Sequence, residues 1–193
     1  MKTSSESPGG RQEARRNFLV TGARSFLQAS ASMAKFQQEV YQGCKKALQN
    51  RLPDLETGLA MKLDAGAIVA NPPKWDWQNL DAANPEAGVG ARLGIENWGN
   101  LYCYVWWWYE DDLEEPMLTA LASIEPGKAE IRRQWEQALK SVDPTVECYG
   151  GELRVGRNLA PDSFANLETC LDELLGEFAA LLVKAKGWLK PKP

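Results

Sequence analysis

The segment Leu101–Tyr109, LYCYVWWWY, constrains this chain more than any other. It holds no charge, proline or glycine and is dominated by aromatic side chains, the composition of a β-strand. One face would carry Leu101, Cys103, Val105, Trp107 and Tyr109, and the other Tyr102, Tyr104, Trp106 and Trp108. A strand apolar on both faces belongs in the interior of a sheet with cover on each side. At nine residues it is about half of what a helix needs to cross a bilayer, so it does not read as a membrane span.

The surrounding chain supplies partners for such a strand. Residues 91–97 alternate, with Leu93 and Ile95 on one face and Arg92 and Glu96 on the other. A tight turn at Trp98-Gly99-Asn100 joins them to the aromatic run as a hairpin over 91–109. Gly150-Gly151 between two further short runs predicts a second hairpin over 145–157, and residues 66–70 are a short strand candidate. Residues 71–90, with three prolines and no apolar period, read as a long loop holding Trp75 and Trp77 on either side of Asp76.

Three stretches carry helical spacing. Leu19, Gly22, Phe26, Ala29, Met33, Phe36, Val40, Cys44 and Leu48 predict one long helix over 12–50, ended by Pro53. The acidic cluster before Pro116 predicts a short helix presenting Met117, Leu118 and Leu121. A second follows with Ile131, Trp135, Leu139 and Val142, making a helix pair over 114–142. Phe164, Leu167, Leu171, Leu174, Phe178, Leu181 and Trp188 mark a last helix over 161–189, with acids leading and lysines trailing as its dipole favours. The expected fold is α+β: a small antiparallel sheet of about four to five strands packed by a long N-terminal helix, a middle helix pair and a C-terminal helix. It would form a single domain over 11–190 behind a Ser/Gly/Pro-rich disordered tail at 1–10.

Chemistry is narrowed mainly by what the chain lacks. There is no histidine, which excludes Ser-His-Asp and Cys-His nucleophile pairs and HExxH zinc sites. Cys44, Cys103, Cys148 and Cys170 form no CxxC pair and read as reduced thiols buried among apolar neighbours, with no metal or cofactor implied. Gly88 to Gly94 (GVGARLG) imitates a dinucleotide fingerprint, but its third glycine is late and it leads into a strand rather than a helix. The carboxylate run Glu110, Asp111, Asp112, Glu114 and Glu115 reads as a solvated helix entry. A net charge of −4 argues against broad duplex nucleic-acid or anionic-membrane binding. The N-terminus lacks the apolar core of a signal peptide, so the expected location is cytoplasmic.

Aromatic enrichment is the positive signal, since four of the eight tryptophans lie in or beside the 91–109 hairpin and two more in the loop before it. The candidate binding residues are Trp75, Trp77, Tyr102, Tyr104, Trp106 and Trp108; no catalytic residue stands out. The expected function is a non-catalytic interaction factor of the adaptor, inhibitor or immunity type that docks on a partner protein. Self-association through the N-terminal helix would fit its stripe. Two alternatives use other residues or other ligands. One is a small-ligand or single-stranded nucleic-acid module built on the aromatic platform. The other is a degenerate or metal-dependent hydrolase or nuclease-like domain using the 110–115 carboxylates.

Overall fold

The computed structural model describes residues 8–71, 87–108 and 117–189. The chain separates into two compact units, residues 1–38 and 39–193. The first helix, α1 (Pro8–Leu59), begins in the former and ends in the latter. Of the expected tail, residues 8–10 open α1 and the rest lie outside the described residues.

The helical stripe has two fates along α1. Between residues 16 and 35 the described side chains are exposed except for half-buried Ser30, with Phe18, Leu19, Val20 and Leu27 among them. From Val40 onward the stripe is core: Val40, Cys44, Ala47, Leu48, Leu55 and Leu59 are buried. Pro53 does not end the helix as its ring geometry suggested. It deprives the Gln49 carbonyl of its helical donor, but Gln49 is exposed and water can replace that donor, while Leu55 and Leu59 gain burial beyond the proline. The helix stops instead at Ala60, held at φ +56°, after which the Met61 N–H donates back to the Glu56 carbonyl at 3.2 Å.

Among the described residues six strands follow: β1 (Ile68–Asn71), β2 (Ala87–Ile95), β3 (Gly99–Trp108), β4 (Met117–Pro126), β5 (Glu147–Tyr149) and β6 (Glu152–Leu159). They form one antiparallel sheet in the order β1-β2-β3-β4-β6-β5. The fold is therefore α+β as expected, with one or two strands more than the periodicity suggested. Helix α2 (Ala129–Val142) links β4 to β5, and a 3₁₀ turn at Pro161–Asn166 leads into α3 (Leu167–Lys186).

The expected first member of the middle helix pair is a correction. Residues 117–126 are β4, paired along β3 from Met117 opposite Trp108 to Pro126 opposite Gly99. Met117, Leu118 and Leu121 fit a helical stripe, but period two fits as well. Ala120, Ala122 and Ile124 face one side, while Thr119, Leu121, Ser123 and Glu125 face the other. A β3 edge with no neighbour would strand a full ladder of backbone groups, and pairing outweighs the weak local helix signal.

The core lies on the face of β3 that carries Leu101, Cys103 and Val105, all at 0% exposure. Cys44 of α1 meets Cys103 there. Helix α3 covers the same face, running beside α1 in the same direction: Gly43 adjoins Leu171, Arg51 adjoins Gly176 and Gly58 adjoins Leu182. A fork of the Arg51 guanidinium onto Asp172, at 3.0 and 2.5 Å, fixes that register.

Candidate functional site

The opposite face of the sheet assembles the predicted aromatics. Tyr102, Tyr104 and Trp106 alternate along β3 on this side. Each is set against a β2 residue: Arg92 faces Tyr102, Gly90 faces Tyr104 and Gly88 faces Trp106. Two of the glycines that imitate a nucleotide fingerprint let β2 approach β3 closely. A Cβ on Gly90 would sit 2.3 Å from the Tyr104 Cβ, and one on Gly88 would sit 2.7 Å from the Trp106 ring. Tyr102 and Tyr104 stack edge to face with centroids 6.4 Å apart, and Tyr104 repeats the arrangement with Trp106 at 6.4 Å.

These tyrosines are anchored. Tyr102 is 7% exposed and its hydroxyl donates to Glu125 at 2.6 Å. Tyr104 is 6% exposed and donates to Glu152 at 2.9 Å, and the same carboxylate oxygen accepts from the fully buried Ser123 hydroxyl. Burial first, and then the neighbouring carboxylates, push both phenol pKa values well above their ordinary range. Beside Tyr102, the Arg92 Nε is buried without a hydrogen-bond partner. Trp106 is only half-buried. Among the described predicted site residues, Tyr102, Tyr104 and Trp106, it alone lines a cavity. The side chain of Trp108 lies outside the described residues, as do Trp75, Trp77 and the acidic run at 110–115.

That cavity is a cleft of about 740 Å³ along the outer edge of β6. Trp106, Thr119 and Leu121 wall it on the aromatic side, and Leu174, Phe178 and Leu181 of α3 on the helical side. Gly156 lies between them, and a Cβ there would fall 2.8 Å from the Leu121 side chain. The cleft exists because β5 is short. It pairs with β6 only from Glu147 opposite Arg154 to Tyr149 opposite Glu152. Thr145, which would face Gly156 if β5 continued, gives both its N–H and its hydroxyl to the Asp143 carboxylate, at 2.9 and 2.6 Å. Those bonds hold Asp143 below the usual carboxylate range and bend the chain away.

The rim is charged and internally paired. Arg154 donates to Glu147 at 2.9 Å and lies 4.5 Å over the Tyr149 ring. Arg157 reaches across to α3, donating to Glu173 at 3.2 Å and Glu177 at 2.6 Å. Each cleft carboxylate is thus already engaged, an arrangement that suits recognition more than proton transfer. The expectation of four buried thiols needs correcting: Cys44 and Cys103 are buried, Cys170 is half-buried and Cys148 is exposed on β5, an edge strand with no buried residue. Among the described residues no cluster of three potential metal ligands occurs, and no helix is long and apolar enough to cross a membrane.

The sequence reading missed the cleft residues outside β3, although a signal was present. Asp143-Pro144-Thr145 is a turn sequence ahead of a run too short to match β6. No protein-family model, curated protein or solved structure matches this chain.

Proposed function

We propose that the protein is a non-catalytic, cytoplasmic interaction factor that docks a partner protein in the cleft along β6. The observation that carries this reading is the half-buried Trp106 set in the wall of a cleft whose charged rim groups are already paired. A tryptophan with one side packed and the other facing a cleft is the usual form of a binding anchor. A photo-crosslinking residue at Thr119 should capture a discrete partner in native cells, and the same residue at exposed Glu130 should not. Thr119→Arg, which fills the cleft without opening a cavity, should weaken the isolated complex about tenfold or more. Identical crosslinks from both positions, or unchanged affinity, would refute the reading.

A second contact is supported by the exposed Leu19, Val20 and Leu27 of α1, which fall within about 100° of one another around the helix, a surface suited to pairing two copies. Equilibrium sedimentation of the full chain beside a Leu19→Asp/Leu27→Asp variant tests it. A monomer in both cases removes that contact and leaves the cleft reading intact.

A further inference from the structure

The β6 edge specifies the form of the occupant as well as its place. A two-residue hairpin turn closes on a hydrogen-bonded pair, here Tyr149 with Glu152 across Gly150 and Gly151, both at positive φ. Along β6 the direction of the backbone groups then alternates. Glu152, Arg154, Gly156 and Asn158 turn their N–H and C=O toward the β5 side, and Val155 and Arg157 toward β4. Glu152 and Arg154 find partners in β5, but β5 ends before Gly156 and Asn158. The residue that would have satisfied Gly156, Thr145, is bonded to Asp143 instead. Among the described residues no strand lies beyond this stretch of β6.

We propose that the cleft takes an extended segment of a partner protein as a seventh strand, paired to β6 at Gly156 and Asn158 in line with β5. This rests on the reading that the cleft is a docking site, and it names the chemistry of what docks. Free main-chain donors and acceptors on an edge are met by another extended backbone. The open stretch, Val155–Leu159, accommodates about five residues or roughly 17 Å of strand. Side chains alternate along such a segment. Those turned toward α3 meet the exposed Glu177 and the half-buried Arg157, with the buried Leu174, Phe178 and Leu181 behind them. Those turned the other way pass Trp106 and Thr119. On the rim Asp143, Glu147 and Glu177 face Arg154 and Arg157, an excess of one carboxylate, so the segment carries lysine or arginine on its solvent side.

The test uses the full chain and a random heptapeptide library displayed on phage, with selected sequences synthesised for affinity measurement. Asn158→Ala keeps the outward N–H while removing the side chain that accepts from Thr119 at 3.1 Å, and is the reference for that loss. Asn158→Pro also removes the N–H, at a position where an edge strand tolerates proline, and should bind about tenfold more weakly than Asn158→Ala. Should the proline variant fail to fold by circular dichroism, the peptide itself carries the test. N-methylation of alternate amides should abolish binding in one frame and leave it nearly unchanged in the other. Equal affinity for Asn158→Pro and Asn158→Ala, or indifference to methylation in both frames, would overturn strand addition while docking in the cleft stood on the Thr119→Arg result. Selection of no peptide above the Thr119→Arg background would also overturn it, and the crosslinks from Thr119 would then judge the docking reading separately.

Discussion

Glu152 shows how the aromatic face of the sheet is held. One of its carboxylate oxygens accepts from both Tyr104 and Ser123, so two hydroxyls on a half-polar surface are satisfied by a single residue of the neighbouring strand. Glu125 does the same for Tyr102 and Asn100, at 2.6 and 3.3 Å. The tyrosines therefore brace the sheet, and among the described side chains of β3 the proposed function narrows to Trp106. Their ionisation is a direct probe of that bracing. Burial, then Glu125 for Tyr102 and Glu152 for Tyr104, raises both folded-state pKa values above the unfolded value near 10. Folding favours the neutral phenol, so this contribution to stability is whole below about pH 10 and is lost as pH rises beyond it. Denaturant unfolding from pH 8 to 11 should show stability falling above pH 10, and less steeply in Tyr102→Phe/Tyr104→Phe. Equal slopes in parent and variant would mean that these rings are solvated.

At the scale of elements, the end of α1 shows why boundaries were harder to read than elements. The apolar stripe from Val40 to Leu48 was plain in the sequence and is buried as expected. Pro53 looked decisive, yet burial of Leu55 and Leu59 carried the helix past it to an alanine in a left-handed conformation. That conformation strains any residue with a Cβ. Ala60→Gly should therefore stabilise the protein by about 1 kcal/mol, read as a higher urea midpoint at unchanged m-value. An unchanged or lower midpoint would show that the helix end is not held in that geometry. β4 was illegible for a different reason. Met117, Leu118 and Leu121 satisfy a period of 3.6, while Thr119, Ser123 and Glu125 satisfy a period of two, and only the unmet edge of β3 decides between them. β3 itself, both hairpins, α2 and α3 were legible because their periods or turn glycines admitted one reading.

Across the whole molecule, charge and exposure are unevenly shared. Residues 1–38 carry six Lys/Arg against two Asp/Glu, whereas residues 39–193 carry sixteen against twenty-four. The acidic unit contains the cleft, which accords with a docking segment of positive charge. The cleft was only partly legible in advance. Trp106 stood out by type, but Gly156, Asn158 and Thr145 acquire meaning only when the short β5 leaves β6 unpaired. Amide hydrogen exchange across β6, followed residue by residue by NMR on the protein alone, reads that unpaired edge. The Gly156 and Asn158 amides, turned away from β4, should exchange rapidly, while Val155 and Arg157, turned into the β4 ladder, should be strongly protected. Equal protection at all four would contradict it, because the edge would then already be paired and the cleft closed to an added strand.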